Sequence, residues 1–193
     1  MLNNSFLKPV IILVAIAVPV WLIARIAFRK RIPGVNISFM REFLYFLFFL
    51  YLIALAAITI VPLSFAMHKT PSESDINLIP FKTIWNAIRS AISGHHRFRP
   101  SMLFENTTGN IVLFLPLGFL LPMVARKTNS FAAIFFIALL CSAVIECVQY
   151  IERSFGAYRS VDVDDLILNT LGAILGWLFL CLIRKIGGVK PQQ

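Results

Sequence analysis

Five long apolar runs constrain this chain more than any other feature of its sequence. They lie at about residues 9–28, 42–63, 108–125, 131–152 and 164–183, and about 20 apolar residues are enough for one helix to cross a bilayer. A soluble core in a chain of 193 residues could not bury a composition that is 59% hydrophobic and 14% charged. The sequence therefore predicts an all-α polytopic membrane helix bundle with about five transmembrane helices, and it excludes an ordinary soluble globule.

The basic residues predict how this bundle is oriented. The chain has 18 Lys and Arg against 9 Asp and Glu, and short loops rich in Lys and Arg stay in the cytoplasm. With the N-terminus outside and the C-terminus inside, the densest basic segments are cytoplasmic, and they hold Arg25, Arg29, Lys30, Arg31, Arg41, Arg126, Lys127, Arg184, Lys185 and Lys190. We therefore predict an N-out, C-in topology with an uncleaved first span, because its charges follow the apolar run.

The positive charge also indicates which partners to expect. No basic stripe with interleaved aromatic residues stands outside the apolar runs, so the sequence predicts contact with membrane lipids and not with nucleic acid. The loop at about residues 64–107 contains one amphipathic pattern, which begins at Pro80 and ends at Gly94. It predicts a helix that lies in the outer interface or, equally, one that packs over the mouth of the bundle.

Polar residues inside the apolar runs are the candidates for function, since a charged side chain in lipid costs about 2.5–3.5 kcal/mol and needs a partner or a purpose. Polar residues within or directly beside three of the runs fall near the same external ends: Asn110, Glu146, Gln149, Arg159, Asp162, Asp165 and Asn169. They predict one polar pocket that opens to the outer leaflet. The alternative is a buried structural network in which Arg159 neutralises Glu146 or an Asp.

The start of the last run carries two further predictions. Asp162 is expected to cap this helix, with Asp164 or Asp165 in its first turn, because acidic residues are favourable at a helix N-terminus. Gly172 and Gly176 lie one turn apart on the same stripe as Asp165 and predict a close contact with a neighbouring helix.

Four segments resemble the signature blocks of the VanZ-like membrane protein family. They are INLIPF (76–81), GNIVLFLPLGF (109–119), SAVIECVQ (142–149) and RSVDVDDLILNTLGAILGW (159–177). The resemblance divides the chain into an N-terminal transmembrane anchor with a basic loop (1–41), a VanZ-like domain (42–184) and a short tail (185–193). It implies a multi-pass protein of the bacterial plasma membrane, in a family whose founding member is associated with low-level resistance to teicoplanin. The family's polar positions match here as Asn77, Asn110, Glu146, Gln149, Arg159, Asp162, Asp165 and Asn169.

Three functional hypotheses follow. In the first, an external pocket binds an anionic lipid, a cell-wall precursor or a glycopeptide through Arg159 and the amide side chains. In the second, the protein is an intramembrane enzyme acting on a lipid-linked phosphate or glycan, with Glu146 as general acid or base and with Asp162 and Asp165 as ligands of a divalent cation such as Mg²⁺. The third is a transporter or a structural subunit of a membrane complex. The sequence leaves the oligomeric state open.

Overall fold

A computed structural model describes residues 4–31, 38–59, 76–82, 85, 89, 100–155 and 160–188. This part of the chain contains five long α-helices and two strands of two residues each. The helices are α1 (Asn4–Arg31), α2 (Phe39–Thr59), α3 (Pro100–Val124), α4 (Phe131–Ser154) and α5 (Val163–Ile186), and the strands are β1 (Ile76–Asn77) and β2 (Val161–Asp162). The predicted all-α fold is confirmed.

Four of these helices are long and apolar enough to cross a membrane: α2, α3 from Thr107 onwards, α4 and α5. The first predicted span also forms a helix, α1, which is not among these four and whose described apolar segment is Val14–Phe28. The role of residues 1–41 as a membrane anchor stays a prediction.

Helices α3 and α5 are in backbone contact through their glycines. A Cβ atom at Gly172 would lie 2.2 Å from the Ile111 carbonyl oxygen, and one at Gly176 would lie 2.0 Å from that of Leu115. Gly118 makes the reciprocal contact from α3, where a Cβ would lie 1.7 Å from the Ala173 carbonyl oxygen. The predicted close helix contact is confirmed, and its partner is α3.

Consecutive helices run in opposite directions around a small apolar core, which includes Phe114, Leu117, Ile134, Ala138 and Ala173. The ends of α2 and α4 therefore lie beside the starts of α3 and α5, and we call this the carboxylate end because Glu146, Asp162, Asp164 and Asp165 lie there. The opposite end is the basic end, and the basic residues that lie there include Arg25, Arg41, Arg126, Lys127, Arg184 and Lys185.

The segment before α3 joins the bundle at the carboxylate end. Strand β1 pairs with β2 in parallel, with Ile76 opposite Val161 and Asn77 opposite Asp162. Beyond Pro80 the described residues contain one helical hydrogen bond, which the Trp85 amide donates to the Phe81 carbonyl at 2.8 Å. Most of the predicted amphipathic helix, including Gly94, lies outside the described residues, so its two interpretations stay predictions.

Candidate functional site

Asp162 is the centre of the polar groups at the carboxylate end. Its Oδ1 accepts hydrogen bonds from Asn77 Nδ2 at 2.8 Å and from the Asp164 amide at 2.9 Å. The second bond caps α5, so the predicted capping role of Asp162 is confirmed. Asn77 and Asp162 are both buried, and the β1–β2 pairing places them side by side.

Glu146 and Asp165 complete a group of three carboxylates from α4, β2 and α5. Glu146 Oε2 accepts from the Asp162 amide at 3.4 Å, and Asp165 Oδ1 accepts from Asn110 Nδ2. The three carboxylates are close enough that they repel one another when they are ionised. Within the described part of the chain, no Lys or Arg forms a salt bridge with Glu146 or Asp165.

A second polar layer lies one helical turn deeper. Ser142 precedes Glu146 by one turn of α4, and Asn169 follows Asp165 by one turn of α5. Asn169 Nδ2 donates to Ser142 Oγ at 2.9 Å, and both residues are buried. Asn169 Oδ1 is buried and has no hydrogen-bond donor among the described residues. A buried acceptor without a donor is rare and lowers the stability of the folded state. A hydrogen-bond donor from a ligand could therefore bind to Asn169 Oδ1. We call Asn77, Asn110, Glu146, Asp162, Asp165 and Asn169 together the carboxylate cluster.

Gln149 follows Glu146 by about one turn of α4, and its described hydrogen bond goes to α2 and not to a member of this cluster. Its Nε2 donates to the Thr59 carbonyl at 3.1 Å. That carbonyl belongs to the last turn of α2, where backbone oxygens have no partner within their own helix. Gln149 therefore links α4 to α2 in the described structure.

Asp164 makes a contact at the carboxylate end that the sequence did not predict. It is 3% exposed, and its Oδ1 accepts a hydrogen bond from the Phe81 amide. Phe81 has a positive φ of 62°, a conformation that is strained for a bulky side chain. The partner is a backbone amide far away in the sequence, and such a group leaves no signal in a sequence pattern.

Two predicted features of the site, the pairing of Arg159 and a metal site, are not seen in the described part of the structure. Arg159 lies outside the described residues, so its predicted pairing with a carboxylate stays a prediction. Among the residues that the structure does describe, no three His, Cys, Asp or Glu side chains form a group that could hold a metal ion. The catalytic and metal-binding roles of Glu146, Asp162 and Asp165 also stay predictions.

Comparison with known proteins identifies the family of this chain. The profile of the VanZ/LLP1 family matches residues 48–184, a range that contains all of the predicted site residues. Protein VanZ of Enterococcus faecium is 32% identical to this chain over 114 residues, which cover 56% of this chain and 67% of that protein. No solved structure matches the chain. On the extent of the profile match and on the helix bundle that carries its motifs, this chain belongs to the VanZ/LLP1 family.

Proposed function

We propose that this protein acts in the bacterial cell envelope in glycopeptide resistance, and that the carboxylate cluster is its ligand-binding site on the outer face of the plasma membrane. One observation carries the site proposal: three carboxylates lie together at one end of a membrane bundle, beside a buried amide oxygen, Asn169 Oδ1, that has no donor among the described residues. Family membership supports the envelope role, and the basic residues at the opposite end support an outward-facing cluster.

The balance of hydrogen-bond donors and acceptors in the cluster restricts the class of ligand that can bind. The amide groups of Asn77 and Asn110 already donate to Asp162 and Asp165, so the described part of the cluster offers mainly acceptors. Carboxylate and amide oxygens bind hydroxyl, amide and ammonium donors. Of the predicted ligands, a cell-wall precursor or a glycopeptide brings such donors, whereas a simple anionic lipid headgroup would have to bind through Arg159.

A structural network is the second candidate, and specific hydrogen bonds favour it. The bonds from Gln149 to Thr59 and from Asn169 to Ser142 link α4 to α2 and α5 to α4. If the whole cluster served only to fix these helices, removing the Glu146 carboxylate would lower stability and no ligand would change that. The two candidates therefore differ in ligand dependence and not only in stability.

The deciding experiment measures the thermal stability of the full chain in detergent with and without ligand. The probes are teicoplanin, a lipid-linked cell-wall precursor and phosphatidylglycerol, each with and without Mg²⁺. A ligand at about 100 times its Kd should stabilise the wild type by about 2.7 kcal/mol. Glu146→Gln and Arg159→Ala should fold but lose this gain.

Glu152→Gln is the matched control, since it removes a carboxylate from α4 outside the carboxylate cluster. It should keep the full ligand-dependent gain. If Glu146→Gln is strongly destabilised and neither teicoplanin nor the cell-wall precursor shifts the wild type, the structural network is correct and the binding proposal is wrong.

The outward orientation of the cluster has its own test. In a variant that lacks the native Cys141, Cys147 and Cys181, single cysteines are introduced as Phe155→Cys at the carboxylate end and as Lys127→Cys at the basic end. Both positions are exposed. A membrane-impermeant maleimide should label the first in intact cells and the second only after permeabilisation. The opposite labelling would place the cluster in the cytoplasm.

A further inference from the structure

A cavity lies at the opposite end of the bundle from the carboxylate cluster. It is a cleft of about 380 Å³ between the start of α2 and the end of α3. Its apolar wall is formed by Met40, Leu44, Met123 and Val124, and two cations, Arg41 and Arg126, line it as well. Because both helices are candidate spans that begin or end here, the cleft is at the level of a membrane surface.

The cleft has a net positive charge that the described residues do not neutralise. Glu42 is the acid next to Arg41 in the sequence, but Arg25 binds it with two hydrogen bonds of 2.8 Å. Neither Arg41 nor Arg126 forms a salt bridge within the described part of the chain. The Arg41 guanidinium lies 5.8 Å from the centre of the Tyr45 ring, a cation–π contact that holds it near the cleft.

Helix dipoles do not change this charge balance. The start of α2 brings a positive partial charge to the cleft, and the end of α3 brings a negative one, so the two oppose each other. The two guanidinium groups therefore set the charge of the site. Guanidinium groups bind phosphate through paired hydrogen bonds, and basic pockets between membrane helices on the cytoplasmic side bind anionic headgroups.

We infer that this cleft binds the headgroup of an anionic phospholipid, with its phosphate on Arg41 and Arg126 and its acyl chains along the Met40, Leu44 and Met123 wall. The charge selects an anion, and the apolar wall selects a lipid over free phosphate. The cleft volume lies within the usual range for small-molecule sites, about 300–1,000 Å³. This inference is independent of the function proposed for the carboxylate cluster.

The test titrates the detergent-solubilised full chain with phosphatidylglycerol or phosphatidylcholine and follows bound lipid by native mass spectrometry. A charge-assisted hydrogen bond contributes about as much as a tenfold change in affinity. The double variant Arg41→Gln, Arg126→Gln should therefore bind phosphatidylglycerol about 100-fold more weakly than the wild type. The double variant Lys127→Gln, Lys185→Gln loses the same charge from the same end but leaves the cleft intact, and its affinity should stay within about twofold.

Three results would overturn the inference. Equal losses of phosphatidylglycerol affinity in the two double variants would show a general charge effect. Binding of phosphatidylcholine as tight as that of phosphatidylglycerol would show that the cleft does not recognise the anionic headgroup. Inorganic phosphate that displaces bound phosphatidylglycerol at comparable concentration in the same titration would make free phosphate the ligand. Arg41 and Arg126 are both exposed, so their replacement should not prevent folding. If the double variant does not fold, Arg126→Gln alone provides the same test with an expected tenfold loss.

Discussion

The two ends of the bundle handle charge in opposite ways. At the carboxylate end, Asp162 and Asp164 are buried and accept hydrogen bonds from the backbone and from Asn77. At the basic end, Arg41 and Arg126 are exposed and line an open cleft. Buried charges need partners that the protein itself supplies, whereas exposed cations at a membrane surface meet the charges of the lipid. The carboxylate end therefore satisfies buried acidic groups within the protein, whereas the basic end leaves its guanidinium groups exposed at the level of the membrane surface.

Helices α3 and α5 contribute residues to both ends of the bundle. Breaking the contact between them should therefore have the largest effect on stability. Gly172→Ala places a methyl group 2.2 Å from the Ile111 carbonyl oxygen, and the two backbones must separate. We expect a loss of about 3 kcal/mol in the free energy of unfolding, at the upper end of the usual cost of overpacking. Thermal unfolding in detergent should show this loss, together with weaker ligand binding at both ends.

Gly109→Ala on α3 is the control for this substitution, because a Cβ there meets no atom within 4 Å. Alanine is favoured over glycine in a helix by about 1 kcal/mol, so this variant should be as stable as the wild type or more stable. A Gly172→Ala protein with wild-type stability would show that the α3–α5 contact is not as close as described.

Loss of the Asp164 carboxylate should affect the carboxylate end alone. Asp164→Ala leaves the Phe81 amide without this acceptor, and we expect a loss of about 2 kcal/mol, typical of a hydrogen bond to a buried charged group. Faster hydrogen exchange at Phe81 and a lower melting temperature would confirm it. Asp164→Asn keeps an oxygen acceptor and should lose less. Equal losses in the two variants, or weaker phosphatidylglycerol binding at the basic end, would contradict the local role.

The apolar runs predicted the bounds of a helix correctly where the whole helix is apolar. The predictions 131–152 and 164–183 differ by three residues or fewer from α4 (Phe131–Ser154) and α5 (Val163–Ile186). The third prediction began at residue 108, but α3 begins at Pro100. Polar residues such as Glu105 and Thr107 end the apolar run while the backbone stays helical. Hydropathy detects the part of a helix that lipid can solvate, and it cannot detect a helical extension beyond it.

The candidate site was predictable where side chains share a helix face. The predicted pocket grouped Glu146 with Asp165 and Asn169, because Asp165 and Asn169 share a helix face and all three lie toward the same end of the bundle. Contacts to the backbone were not predictable: Gln149 donates to the Thr59 carbonyl, and Asp164 accepts from the Phe81 amide. Every residue has a backbone carbonyl, and every non-proline residue has a backbone N–H, so no side-chain pattern indicates which of them a buried polar group will meet.

At the basic end, the ion pair between α1 and α2 should contribute a smaller amount. Arg25 and Glu42 form a two-bond salt bridge, with side chains that are 22% and 14% exposed. We expect a coupling of about 1 kcal/mol, the upper end for ion pairs in partial contact with water. A double-mutant cycle of Arg25→Ala and Glu42→Ala measures it through thermal stability. Additive losses would mean that the pair does not fix α1 to the bundle.

The smallest effect should come from adding a carboxylate to the basic end. Asn129 Oδ1 accepts from Arg184 Nη1 at 3.1 Å and from Trp177 Nε1 at 3.4 Å. Asn129→Asp keeps this geometry and turns the first contact into an ion pair, which should stabilise the protein by about 0.5 kcal/mol. The same substitution at Asn169 is the counterpart at the other end. There it adds a negative charge to a residue that is 3% exposed and one turn from Asp165, so the melting temperature should fall. If both substitutions shifted the melting temperature in the same direction, the two ends would not differ in how they tolerate negative charge, and the contrast between them would be wrong.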